Sequence, residues 1–310
     1  MTTTAPGPLP PEAPARTAPP WAPLVAIAIT LLFWASAFVA IRHLRDDFSP
    51  GALSLGRLLV GAACLGVIVW RSGRGGRARL WPRGRREWAS MTAIGVLWFG
   101  VYSVALNEGE TRIDAGTAAM LIQLSPVLVA VMAALFLDER LSVTLLVGLA
   151  LAFAGVALIG VSTSEHAGQD WLGVGLCLLS ALAYSVSLIL QKPLVARVPA
   201  VMVTWLACTV GAVVCLPFVG QLLTQAASAP ASSVWWLVYL GVFPTAVAFS
   251  TFAYALTTMD ASRLGVTTYL VPPLTIVLAL VFLGETPPAL AYLGGVLSLV
   301  GVAVARRRRA

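Results

Sequence analysis

The sequence predicts an all-α integral membrane protein with ten transmembrane helices, arranged as two inverted five-helix repeats. Three observations carry this. Apolar runs of about 20 residues recur along nearly the whole chain, and each would span about 30 Å as a helix, the thickness of a bilayer core. Residues 125–160 reappear as 271–306 at a constant offset of 146 without a gap. Basic residues are concentrated in alternate links between the runs.

Composition excludes a soluble fold. Apolar residues make up 59% of the 310 and charged residues 11%, and the mean hydropathy is +0.89. That leaves too little polar surface to keep a soluble chain dispersed. The net charge of +7 sits in short links, as membrane orientation requires, so nucleic acid is excluded as a partner. Lys192 is the only lysine and no Gly-x-x-x-x-Gly-Lys occurs. The chain is therefore no P-loop ATPase, and transport would draw on an ion or solute gradient or on a separate subunit. A proton is the candidate coupling ion. Cys64, Cys177, Cys208 and Cys215 lie inside apolar runs with no C-x-x-C pair, and His43 and His166 are far apart. No disulfide, metal or cofactor is implied.

Taken in order, residues 1–21 form a Pro-rich disordered tail that lacks the pattern of a cleaved signal peptide. The first repeat covers 22–161, with spans at 22–41, 51–70, 88–107, 115–136 and 141–161. The second covers 171–305, with spans at 171–190, 200–220, 234–256, 262–283 and 288–305. The longest internal links are the arginine-rich 71–87 and the uncharged polar 221–233. With the N-terminus inside, cytoplasmic segments hold sixteen of the twenty basic residues and external ones three, Arg42, Arg45 and Arg112. Both termini are thus cytoplasmic. Five spans per half is an odd number, so the second half inserts upside down, the architecture of many secondary transporters.

The repeat aligns Pro126 with Pro272, Glu139 with Glu285, Gly148 with Gly294 and Gly155 with Gly301. Pro126 and Pro272 fall near mid-span. A proline there removes an N–H and displaces the carbonyl four residues earlier, freeing those of Ile122 and Thr268, with Pro273 freeing that of Tyr269. Such groups need side-chain partners or a wet cavity. Gln123, Ser125, Thr268 and Tyr269 lie beside them, and Gln123 and Tyr269 are repeat-equivalent. Two roles fit: a kink satisfied by neighbouring helices, or a solute cavity with the prolines as hinges.

Trp34 and Tyr184 sit among small and hydroxyl residues at comparable places in the two halves. They suit either a partly apolar ligand or close helix packing. Arg57, the only basic residue deep in a span, is a partner for a substrate carboxylate or a structural clamp on helix-end carbonyls or on Asp46, Asp47 or Asp114. Glu139 and Glu285 precede spans 5 and 10, where a carboxylate caps the next helix. No Asp or Glu lies mid-span, which argues against a dedicated cation pump. No nucleophile–base constellation appears, so the chain is not read as an enzyme.

Phe33-Trp34-Ala35-Ser36-Ala37-Phe38, Ser49-Pro50 with Arg57, Ser125-Pro126 with Phe136-Leu137-Asp138-Glu139-Arg140-Leu141, and Val271-Pro272 with Phe282-Leu283-Gly284-Glu285 occur in this order over 22–305. Together they resemble the drug/metabolite transporter superfamily, specifically its ten-helix EamA-type members. The resemblance implies a bacterial inner-membrane carrier with a central cavity lined by spans 3, 4, 8 and 9, moving amino acids, related metabolites or drugs. It implies Tyr102, Asn107, Gln123, Ser125, Tyr254, Thr268 and Tyr269 as lining residues. The charged stretch Asn107–Arg112 departs from the second half and is expected to be a link. The expectation is export of small amphipathic metabolites such as amino acids, by alternating access. Multidrug efflux and a non-transporting receptor or structural protein are the alternatives. The partners implied are a small-molecule substrate and the lipid bilayer; the sequence assigns no oligomeric state.

Overall fold

The computed structural model describes residues 19, 21–44, 46–73, 81–112, 121–163, 170–283 and 289–306, and among these there is no strand. The described residues form eleven helices. They are α1 (Ala22–Leu44), α2 (Pro50–Gly73) and α3, which runs as Arg85–Ile94, a π-helical turn Gly95–Val101, and Tyr102–Arg112. Next come α4 (Ser125–Phe136), α5 (Val143–Thr163), α6 (Trp171–Val195), α7 (Ala200–Val214) and the short α8 (Val219–Ser228). Helix α9 repeats the design of α3, as Ala231–Leu240, a π-helical turn Gly241–Val247, and Ala248–Thr258. Helix α10 runs as Ala261–Thr267, a 3-10 turn Thr268–Leu270 and Val271–Leu283, and α11 is Ala289–Arg306.

Six of these segments are long and apolar enough to cross a membrane, and a seventh forms if α7 and its continuation, bent by 55°, are one span. Ser125–Phe136, Val143–Ile159 and Tyr292–Ala305 are shorter apolar helices. Large apolar side chains such as Leu135, Phe136, Phe282 and Trp235 face outward, as lipid-facing positions do. The disordered tail expected at 1–21 lies almost wholly outside the described residues, and so do the start of the fourth span and Glu285.

Two links expected from the sequence are helical. Asn107–Arg112 is the last turn of α3, where Arg112 pairs with Glu108 at 3.0 Å and reaches Asp170 at 3.4 Å. Asp170 Oδ1 caps α6 by accepting from the Leu172 and Gly173 N–H groups, and these bonds hold its carboxyl below the usual range. Within 221–233, the residues up to Ser228 belong to α8. There Leu222 is buried toward α2, while Gln221 and Gln225 accept from Ser49 at the start of α2. An uncharged amphipathic stretch folds against a helix once it has an apolar groove to lie in.

The small-residue faces of α5 and α11 meet each other. A Cβ at Gly155 would lie 2.5 Å from the Gly294 carbonyl oxygen, and one at Gly294 would lie 2.5 Å from that of Gly155. Only glycine allows this backbone approach. The π turns of α3 and α9 share the 146-residue offset and are seated reciprocally. Gly95 abuts Val210 on α7, and Gly241 abuts Val60 on α2. Each π turn inserts one residue into its helix and re-aims the side chains of the turn beyond it.

Candidate functional site

The prolines mark where α4 and α10 restart. Pro126 occupies the first turn of Ser125–Phe136, where its missing N–H has no partner to lose. The three carbonyls that the prolines release are all satisfied by side chains. Ser125 Oγ donates to Ile122 O at 2.5 Å, Gln123 Nε2 donates to Thr268 O at 3.4 Å, and Ser298 Oγ donates to Tyr269 O at 2.8 Å. The Gln123 bond joins the two halves at their breaks. The kinks are therefore internally satisfied, and Gln123 and Ser125, which satisfy two of these carbonyls, also line a cavity.

That cavity, of about 140 Å³, is lined by Trp34, Phe38, Arg57, Trp98, Tyr102, Ser103, Asn107, Ile122, Gln123, Ser125, Tyr184, Phe249, Thr268 and Val271, among others. Several are repeat-equivalent. Ser103 and Phe249, Ile122 and Thr268, and Ser125 and Val271 are each 146 apart, while Trp34 and Tyr184 are 150 apart. Both halves thus contribute matching positions to one central space.

Its floor is aromatic. The Trp98 ring lies 5.0 Å from Tyr184 and 5.1 Å from Phe249, and Trp34 lies 5.4 Å from Phe249 and 5.0 Å from Phe252. Three of these contacts are edge-on and the Trp34–Phe252 pair is tilted, and such ring packing holds large side chains in fixed orientations. Among the described residues its one cation is Arg57, seven residues into α2. Arg57 Nε donates to Thr245 Oγ1 at 3.1 Å, and Thr245 in turn donates to Leu240 O within the α9 π turn. Among the described residues no carboxylate pairs with Arg57. Its hydrogen-bond partner is the Thr245 hydroxyl; Asp114 lies outside the described residues. Asn107 Nδ2 donates to Ser54 Oγ at 2.9 Å and ties the end of α3 to the start of α2. The described residues hold no cluster of metal-ligating side chains.

Two sequence-predicted lining residues lie elsewhere. Tyr269 is fully buried with Leu145, Leu149, Val156 and Val302 between α5 and α11, away from the cavity that its repeat partner Gln123 lines. Tyr254 packs half-buried against the main core. Glu139 caps a different helix from the one expected. It accepts from the N–H groups of Ala261 (2.7 Å) and Ser262 (3.0 Å) and from Ser262 Oγ (2.6 Å), so it caps α10 across the halves. Nearby, Lys192 Nζ donates to the carbonyls of Leu256 and Met259 at the end of α9. Trp98, Phe249 and Ser103 were missed by the sequence reading. The 146 offset, followed back beyond Asp114 to Gly95 and Gly241, is the signal that leads to them.

The sequence model of the EamA-like transporter family matches the chain twice, over residues 21–161 and 171–307. The chain is 35% identical, over 91% of its length and 93% of the relative's, to a probable terminal-alkyne amino-acid exporter of Streptantibioticus cattleyicolor. It is 28% identical to the uncharacterized transporter YdfC of Bacillus subtilis, over 90% and 89% of the two chains. A solved crystal structure superposes with a TM-score of 0.76 at 22% identity, covering 92% of this chain and 96% of that one, and so shares its fold.

Proposed function

The chain belongs to the EamA-like transporter family, and we propose that it exports small amino acids or closely related carboxylates across a bacterial plasma membrane by alternating access. The observation that carries this reading is Arg57, a half-buried cation without a carboxylate partner among the described residues, set in an aromatic-walled cavity. Guanidinium pairs bidentately with carboxylate, and the aromatic floor suits an apolar side chain. The name of the Streptantibioticus relative supports the same solute class. A space of about 140 Å³ is small beside the ~300–1,000 Å³ that drug-sized ligands occupy, which favours metabolites over multidrug efflux.

The architecture we assign is ten spans in two inverted repeats, 22–161 and 171–305. The paired π turns, the reciprocal glycine crossing and the double family match support it. The placement of basic residues supports cytoplasmic termini. In that orientation the cavity lies toward the outer end, near Asn107 and the start of α2. The inner end is held shut by Glu139 on α10 and Lys192 on α9. Inward opening then requires these caps to release while the chain bends at Pro126 and Pro272.

The test is counterflow in proteoliposomes loaded with unlabelled L-propargylglycine, a short amino acid with an alkyne side chain. Transient accumulation of labelled L-propargylglycine above equilibrium is expected. Accumulation no greater than in protein-free vesicles would refute the proposal.

A further inference from the structure

Among the described residues, two buried polar atoms on side chains that line the cavity have no partner. Tyr184 is 6% exposed, and its hydroxyl is buried without a hydrogen bond, as is the indole N–H of Trp34. Both residues line the cavity that Arg57 lines. Buried donors are nearly always satisfied in folded proteins, and one left bare in a cleft calls for a ligand or an ordered water. Neither group is placed by a bond to the protein. Both are held by ring packing instead, through the Trp98 ring 5.0 Å from Tyr184 and the Phe252 ring 5.0 Å from Trp34.

We propose that Tyr184 Oη and Trp34 Nε1 donate to the anionic group of the solute and complete, with Arg57, a seat for a carboxylate at the aromatic floor. This rests on the carboxylate-export reading above. The chemistry is matched in kind. An indole N–H can only donate, a guanidinium can only donate, and a carboxylate can only accept, with about four lone-pair sites. An ammonium presented to the same groups would set donor against donor. The solute therefore enters carboxylate first, with its amine away from Trp34 and Arg57. Tyr102 also lines this cavity. Its ring is 6.3 Å from that of Tyr184.

The seat also draws on both halves. Trp34 is on α1 and Tyr184 on α6, at matching places 150 residues apart. An anion bound by both engages the two repeats at once. Specificity follows: a solute whose carboxylate is esterified keeps its side chain and amine but loses the charge and the symmetric pair of acceptors and gains an alkyl group where the seat would hold oxygen.

Tyr184→Phe removes one hydroxyl and leaves the ring contacts intact. Binding of L-propargylglycine to the purified full-length protein would be measured by calorimetry, alongside thermal unfolding without solute. Binding is expected to weaken about 10- to 100-fold, as for loss of a hydrogen bond to a charged group. The melting temperature is expected to stay level or rise, because the hydroxyl has no partner to lose. L-propargylglycine methyl ester is expected not to displace the acid from the wild type. Binding within twofold of wild type in Tyr184→Phe would overturn the proposal, as would a lowered melting temperature, which would mark the hydroxyl as structural. Displacement by the ester as strong as by the acid would overturn it too. Failure of the wild type to bind the amino acid at all would remove the export reading itself, a result distinct from these.

Discussion

Replacing Glu139 with alanine removes the carboxylate that joins the turn after α4 to the start of α10. Three hydrogen bonds are lost, from the N–H groups of Ala261 and Ser262 and from Ser262 Oγ, at 2.7, 3.0 and 2.6 Å. A helix N-cap contributes about 1 kcal/mol, and a negative charge at a helix start adds ~0.3–1 kcal/mol. The side-chain bond to Ser262 adds about 1 kcal/mol, less what water restores at this half-exposed position. The closed inner end should therefore lose about 2 kcal/mol relative to an open one, a roughly 30-fold shift in their ratio. Spin labels at Leu141 and Thr257, both on exposed positions at this end, would report it by pulsed dipolar spectroscopy in a cysteine-free background. A longer-distance population should grow in Glu139→Ala at unchanged secondary structure. Wild-type distance distributions together with wild-type flux would refute the reasoning, because the cap would then contribute nothing to closure.

Three further substitutions test the local architecture. Asp138 adopts a left-handed backbone, φ 55°, and its repeat equivalent is Gly284, so Asp138→Gly should stabilise the turn by about 0.5–1 kcal/mol; a fall in melting temperature would contradict this. Gly155→Ala places a Cβ 2.5 Å from the Gly294 carbonyl oxygen and should cost about 1–3 kcal/mol, whereas Gly175→Ala, with nothing within 4 Å, should be neutral or stabilising; equal melting temperatures for the two variants would show that the α5–α11 crossing is not that tight.

Much of this arrangement was legible because duplication writes it twice. The repeat offset located the proline breaks and the glycine faces, and each carbonyl that proline chemistry marks as released does meet a side-chain donor. The cavity's place beside Gln123, Ser125 and Thr268 follows from the same breaks. Equivalence in sequence nonetheless failed as a guide at Tyr269. There the ring enters the core between α5 and α11 among apolar side chains from both helices, while Gln123 lines the cavity and donates to Thr268 O. Glu139 was legible as a cap, but its helix was not. Proximity in sequence pointed to α5, whereas the free N–H groups within reach belong to α10, brought there by tertiary packing. The π turns left no local signature. They arise where Gly95 and Gly241 seat against neighbouring valines, and that contact is visible only once α2 and α7 are in place. Trp98 and Phe249 were missed for this reason.

The central claim is that Arg57 anchors a solute carboxylate in this cavity. Calorimetric titration of L-propargylglycine into the wild type and into Arg57→Gln, with matched thermal unfolding, tests it most directly. Truncating one partner of a buried charge pair costs ~2–5 kcal/mol, so the account predicts saturable binding to the wild type and at least about 30-fold weaker binding to a folded Arg57→Gln. Equal affinity in the two folded proteins would contradict it and place the carboxylate elsewhere.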